Sequence, residues 1–234
     1  LADKCVAIIP AAGQGKRMNA SVNKQFLSLQ GMPVIVHTLR VFDECAAVDE
    51  IILVAAAGEE HLYRKLITEY EIRKLTGIVT GGRERQDSVY NGVLSIRGDC
   101  EIVIIHDGAR PLITQDLILK TIAAAQETGA AVVCVPVKDT IKVVGENQRV
   151  KKTLDRQLLW QAQTPQAFRY GIFIEAIESA RADRFMGTDD TSLVERLGGD
   201  VKVVLGSYEN LKITTPEDLI LAEAIMARRN KQCG

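Results

Sequence analysis

Nine residues near the start of the chain, Pro10-Ala11-Ala12-Gly13-Gln14-Gly15-Lys16-Arg17-Met18, follow directly on an apolar run, Val6-Ala7-Ile8-Ile9. Small residues with two glycines bring bare backbone N–H groups up to phosphate oxygens, and the cations beside them neutralise the charge. Lys24 follows a short way on and adds a third cation to Lys16 and Arg17. The spacing excludes two common phosphate loops. A dinucleotide fingerprint needs a small residue three places after the second glycine, where this chain has Met18. A Walker loop needs four residues between its glycines and Ser or Thr after the lysine; here one residue intervenes and Arg17 follows. A triphosphate-grade anion site of a third kind is the remaining reading. Arg17 and Lys24 in it suit the neutralisation of charge on a phosphorus in transition.

Two later segments carry chemistry of the same kind. Gly81-Gly82-Arg83-Glu84-Arg85-Gln86-Asp87-Ser88 pairs glycines that allow close approach with a serine near a helix start. His106-Asp107-Gly108-Ala109-Arg110-Pro111 places a carboxylate at the end of an apolar run. Asp107 there suits a hard cation that keeps several waters and shares its other ligands with substrate phosphates. A helix cap, or a partner for Arg110, is the plainer alternative. His106 points to the opposite face of its strand and reads as structural. No Ser-His-Asp or Cys-His spacing stands out, and Glu59-Glu60 and Glu69 with Glu71 read as solvated helix faces. A general base is not required if the nucleophile is a phosphate monoester, whose second pKa of about 6 leaves it largely ionised at neutral pH.

These residues need a sheet to bring them together. Apolar runs alternate with helix-period segments, which predicts a Rossmann-like α/β fold: a mostly parallel sheet with helices on both faces. Strands are expected at Val6–Pro10, Ile51–Ala55, Gly77–Thr80, Ile102–His106, Ala131–Val135, Val201–Leu205 and Leu211–Thr214. Helices are expected at Val34–Phe42, Glu59–Glu71, Asp87–Ile96, Gln115–Thr128, Tyr170–Ala180, Thr191–Leu197 and Glu217–Arg229. In such sheets ligands bind beyond the carboxyl ends of the strands, so the three segments above belong on one edge. Lys138 to Trp160 breaks the alternation with two short polar/apolar strands around Gly145-Glu146-Asn147. This predicts a protruding β-hairpin arm. An isolated hairpin is marginal in water, so it packs on something. A second subunit is the preferred partner and a fold-back onto its own domain the alternative.

Composition narrows the setting. The 234 residues fit one large domain, 1–234, better than two small ones. With 29 basic and 30 acidic residues, nothing points to a nucleic-acid or membrane surface. Five dispersed cysteines without a CxxC pair favour reduced thiols over disulfides or zinc. No apolar run approaches the ~20 residues of a membrane span, and the first lacks the marks of a signal peptide. A cytoplasmic protein is the expectation.

Taken together, the motifs resemble those of 2-C-methyl-D-erythritol 4-phosphate cytidylyltransferases. The residues that carry the likeness are Pro10 to Met18, Asn23-Lys24-Gln25-Phe26, Gly81-Gly82 with Arg85 and Ser88-Val89, and His106 to Pro111. Pro136 to Thr140, Thr164-Pro165-Gln166, Thr188-Asp189-Asp190, and Lys212 with Thr215 to Asp218 extend it in order over nearly the whole chain. The resemblance implies a nucleotidyltransferase-type domain that transfers CMP from CTP to methylerythritol phosphate and releases pyrophosphate. It implies that Arg17 and Lys24 stabilise the pentavalent α-phosphorus and that Asp107 holds Mg²⁺. Ala11, Ala12, Gly13, Gly15, Gly82 and Ser88 would bind the nucleotide, with backbone around Ala11, Ala12 and Gly82 reading cytosine alongside Ser88. Thr140, Arg156, Thr164, Thr188 and Lys212 would bind methylerythritol phosphate, Arg156 reaching the neighbouring subunit's site from the 138–160 arm of a homodimer. Two competing readings are a cytidylyltransferase for another polyol phosphate, such as ribitol 5-phosphate, and a non-catalytic CTP-binding regulator.

Overall fold

The computed structural model describes residues 4–13 and 24–233. β1 (Cys5–Pro10) is followed by a two-strand hairpin of β2 (Ser28–Leu29) and β3 (Met32–Pro33), which leads into α1 (Val34–Glu44). Strand and helix then alternate through β4 (Glu50–Ala55), α2 (Glu60–Glu69), β5 (Leu75–Thr80), α3 (Arg85–Leu94), β6 (Ile102–Ile105), α4 (Gln115–Thr128) and β7 (Ala130–Pro136). β8 (Lys142–Val144), β9 (Val150–Thr153) and β10 (Trp160–Arg169) come next, before α5 (Tyr170–Ala182), α6 (Thr191–Arg196), β11 (Lys202–Leu205) and α7 (Pro216–Cys233).

Seven strands form one sheet in the order β11-β7-β10-β6-β1-β4-β5. Neighbours pair in parallel throughout except at β10, which is antiparallel to both β6 and β7. Alternate residues of each central strand feed two cores. Val6, Ile8, Val54 and Val103 pack with Val89 of α3 and Phe173 of α5. Ala7, Ile9, Leu53 and Ile104 pack on the other face with Ile35 and Leu39 of α1 and Ile118 of α4. Burial on both faces is why these strands are continuous apolar runs rather than alternating ones.

Helix ends follow their capping residues. Thr114 accepts the Leu117 N–H at 3.4 Å to start α4, and Gly129 ends it in the left-handed region at φ 97°. The Asp218 carboxylate accepts the N–H groups of Thr214 and Thr215 at 2.8 and 2.9 Å, fixing the start of α7.

The structure corrects two expectations. Leu211–Thr214 is not a strand: Ile213 donates a lone backbone bond to Ala109 O (2.8 Å), and the chain then turns into the Asp218 cap. Between the expected arm and α5 the sequence suggested no strand, yet β10 inserts ten residues into the middle of the sheet. Its sequence, Trp-Gln-Ala-Gln-Thr-Pro-Gln-Ala-Phe-Arg, hides this because Gln163, Thr164 and Gln166 are buried polar residues. Pro165 falls where the pairing with β7 shifts register, between Ala162 and Gln166. The arm itself is present: β8 and β9 pair antiparallel in a sheet of their own.

Candidate active site

β1, β5 and β6 end on one edge of the sheet, and the loops beyond them enclose a cavity of about 630 Å³. Ala12 and Gly13 line it from the end of β1, Gly82 to Arg85 and Ser88 from the end of β5, and Asp107 to Ala109 from the end of β6. Lys212, ahead of α7, and Gln25, ahead of β2, close the remainder.

The two glycines after β5 are dictated by space. A Cβ on Gly82 would stand 2.2 Å from the Cβ of Asp87, and one on Gly81 would stand 2.5 Å from the Cβ of Ala12. The bare backbone therefore lies tight against the start of α3. Ser88 fixes it there, accepting the Gly82 N–H at 3.1 Å and donating to Glu84 O at 3.1 Å. Ala11 sits just behind the cavity. Its N–H donates to Val54 O at 2.8 Å, and its carbonyl accepts from the Tyr63 hydroxyl at 3.3 Å.

Asp107 is the electrostatic centre. Lys212 Nζ stands 2.8 Å from Oδ2, Arg85 Nε 3.3 Å from Oδ1, and Arg110 Nε 3.6 Å from Oδ2. Burial works against ionisation of this carboxyl, but Arg85, Lys212 and Arg110 hold it well below the usual carboxylate range. Asp107 is thus an anion at neutral pH beside three cations; with Asp190 also paired to Arg85, the cluster carries one positive charge in excess, which favours an anionic ligand.

The backbone that presents Asp107 is held from beneath. Arg110 O can only accept, so His106 Nε2 donates to it (3.2 Å), and His106 Nδ1 must then be an acceptor. Thr164 consequently donates its hydroxyl to Nδ1 (3.1 Å) while accepting the Asp107 N–H (3.0 Å). Burial holds the fully enclosed His106 imidazole down at about 3, so it remains neutral. The expectation that His106 is structural is met.

The expected site residues divide by place. Ala12, Gly13, Gly82, Ser88, Asp107 and Lys212 meet around the cavity, with Ala11 directly behind. Thr164 is 4 % exposed and its hydroxyl is engaged by Asp107 and His106, so it serves the site by placing Asp107. Thr140, Arg156 and Thr188 are exposed and do not line this cavity. Arg156 lies at the base of the arm, with its guanidinium donating to Lys138 O at 3.0 Å. Gly15 and Arg17 lie outside the described residues. Lys24 opens a short 3-10 helix, Lys24–Phe26.

The geometry also singles out residues to which sequence reasoning gave no role. Gln25 is 2 % exposed, lines the cavity, and its Oε1 has no partner among the described residues, so it can accept a donor from a ligand. Arg85 grips Asp190 with two parallel bonds of 2.8 and 2.7 Å. Both arginine and acid belong to motifs noted above, but nothing in their spacing signals that Asp190 is buried.

Comparison with known proteins accords with this geometry. The family model "IspD: 2-C-methyl-D-erythritol 4-phosphate cytidylyltransferase" matches residues 5–228. The chain belongs to this family. The cytidylyltransferase of Bacillus velezensis is 54 % identical over 222 residues, covering 94 % of this chain and 95 % of that one. That of Alkaliphilus oremlandii is 49 % identical over 229 residues, covering 97 % of each. Among solved structures, the 4-diphosphocytidyl-2C-methyl-D-erythritol synthase of Anaerococcus prevotii superposes with a TM-score of 0.86. It is 33 % identical, with 97 % of this chain and 99 % of that chain covered. The chain therefore shares the nucleotidyltransferase-type fold of that structure over nearly its whole length.

Proposed function

We propose that the chain transfers CMP from CTP to 2-C-methyl-D-erythritol 4-phosphate, releasing pyrophosphate and forming 4-diphosphocytidyl-2-C-methyl-D-erythritol. An oxygen of the acceptor's phosphate attacks the α-phosphorus of CTP. A new P–O bond forms, the bond to the bridging oxygen of the β-phosphate breaks, and pyrophosphate leaves with that electron pair. No proton has to be removed from the nucleophile, because a phosphate monoester is largely dianionic at neutral pH. Charge builds on the α-phosphoryl oxygens, and the chain's contribution is to position and neutralise it. Arg17 and Lys24 are assigned to that charge, and Lys212 to the acceptor's phosphate.

Asp107 offers one carboxylate to the cavity, its oxygens shared with Lys212, Arg110 and Arg85, and the described residues include no group of three His, Cys, Asp or Glu side chains placed to hold a metal ion. That donor set fits a hard divalent ion that takes its other ligands from water and substrate phosphates, and Mg²⁺ is the ion of this kind assigned here. When bound, Mg²⁺ neutralises phosphate charge.

Cytosine is assigned to backbone around Ala11, Ala12 and Gly82, with Ser88. Backbone carbonyls can accept from the cytosine amino group, which uracil lacks, so UTP would leave a polar group unpaired. Thr140, Arg156 and Thr188 are assigned to the acceptor, with Arg156 supplied by the arm of a neighbouring copy. The arm's apolar residues support this homodimer: Leu158 is 79 % exposed and Trp160 44 % in the single chain. No helix among the described residues is long and apolar enough to cross a membrane. With soluble substrates, a cytoplasmic setting is assigned and no nucleic-acid partner.

The observation that carries this reading is the meeting of Asp107, Lys212 and the bare Gly82 backbone on one sheet edge, in a chain matched by the family over residues 5–228. Phosphorus-31 spectra of CTP, Mg²⁺ and methylerythritol phosphate with the protein test it. New resonances for pyrophosphate and a diphosphodiester are expected; unchanged CTP would overturn it.

A further inference from the structure

Arg85 is the first residue of α3, and its side chain reaches two carboxylates at once. Its terminal nitrogens bond to Asp190 Oδ1 and Oδ2 at 2.8 and 2.7 Å, and its Nε bonds to Asp107 Oδ1 at 3.3 Å. A bidentate fork is the most geometrically demanding ion pair available to arginine, so Asp190 sets the plane of the guanidinium. That plane in turn fixes where Nε points. Asp190 is itself immobilised: its side chain is 2 % exposed, and its N–H, with that of Thr191, donates to Gln166 Oε1 at 3.0 Å. Gln166 stands opposite Ile105 in the sheet, two residues before Asp107. A closed path thus runs from β6 through Gln166, Asp190 and Arg85 back to the carboxylate that follows β6.

We infer that Arg85 is a positioning residue, which Asp190 orients so that its Nε fixes the Asp107 carboxylate in the cavity. This rests on the reading of the cavity as the cytidylyl-transfer site. Asp190 acts on Asp107 only through the shared guanidinium, so the two residues form one device. A buried ion pair that merely braces α3 against α6 would use the same fork, and the two roles separate in their consequences. Removing one partner of a buried pair is destabilising because the other is left uncompensated, whereas removing both restores much of the stability.

The test compares the full-length wild type with Arg85→Gln, Arg85→Lys, Asp190→Asn and the Arg85→Gln/Asp190→Asn double variant. Melting temperature is read beside kcat and the KM for CTP. Expected is a loss of kcat of about tenfold in all four, with KM for CTP moving less than about threefold, as for residues that orient a first-contact ligand. The double variant should lose no more kcat than Arg85→Gln alone, while its melting temperature recovers towards wild type. Arg85→Lys keeps the charge but cannot bridge both carboxylates, so it should not rescue the rate. Recovery of kcat together with melting temperature in the double variant would overturn the inference. So would single-variant losses that multiply, or an Asp190→Asn protein with wild-type kcat. Should the single variants fail to fold, the double variant still decides: a kcat about tenfold below wild type at a recovered melting temperature supports the inference, and wild-type kcat overturns it. A wild type silent with CTP and acceptor would instead overturn the functional reading, and this inference with it.

Discussion

The hydroxyl of Thr164 sits between the Asp107 N–H, which it accepts at 3.0 Å, and His106 Nδ1, to which it donates at 3.1 Å. One side chain on the antiparallel strand β10 thereby locks the turn that follows the parallel strand β6. Thr164→Val keeps the shape but leaves a buried N–H unsatisfied, at a cost of about 1–3 kcal/mol. Denaturant unfolding should register that loss and kcat should fall with it, while Thr164→Ser retains both bonds and should stay near wild type in each.

Lys212 is the nearest cation to Asp107, at 2.8 Å. Arg85 and Arg110 remain beside the carboxylate when it is removed, so stability is largely kept. Lys212→Met should lower kcat about 100-fold, as when one preorganised electrostatic group is removed, with a fall in Tm of less than about 4 °C. Parallel kinetics and thermal melts check this. A large melting shift without a rate loss would assign Lys212 to stability.

Gly82 leaves no room for a methyl group, with Asp87 2.2 Å from where its Cβ would be. Gly82→Ala must push the loop off α3 and break the Ser88 contact. The expected outcome is a KM for CTP raised about tenfold or more, equivalent to about 1.4 kcal/mol. Isothermal titration with CTP checks the same displacement without turnover.

A pH effect follows from His37, whose Nε2 bonds to Leu29 O at 2.8 Å and pins the segment after Gln25. Burial lowers its pKa, outweighing the opposing effect of that hydrogen bond. Between its lowered folded value and about 6.5 the unfolded chain binds more protons. The stability held by neutral His37 is therefore complete above about pH 6.5 and is lost as pH falls towards the folded value. His37→Gln can keep a donor to Leu29 without titrating. The difference in Tm between the two proteins should shift in favour of the variant from about pH 7.5 to about pH 5.

If the arm joins two copies, charges on its apolar face should separate them. Val150, 59 % exposed, and Leu158, 79 % exposed, are the positions for glutamate. Sedimentation of the Val150→Glu/Leu158→Glu variant should give half the wild-type mass, with activity falling as Arg156 leaves the partner's site. A wild type that sediments as a monomer would contradict the assignment.

The parallel core was legible because strands buried on both faces, such as Val6 to Ile9, are apolar throughout. β10 was not, because a central strand that carries Gln163, Thr164 and Gln166 inward breaks the apolar pattern on which strand recognition rests. Those same residues shape the site: Thr164 holds Asp107, and Gln166 holds Asp190. Asp107 and Lys212 were recognisable by type, yet their 2.8 Å contact joins residues 105 positions apart and depends on the sheet. The Arg85–Asp190 fork was hidden for the same reason.

Pyrophosphate release from CTP and Mg²⁺, with methylerythritol phosphate and with ribitol 5-phosphate in parallel, decides both whether CTP is turned over and which acceptor takes the CMP. Release with methylerythritol phosphate alone is the predicted result. Release with ribitol 5-phosphate alone would contradict the acceptor assigned here, and silence with both would favour a protein that binds CTP without turning it over.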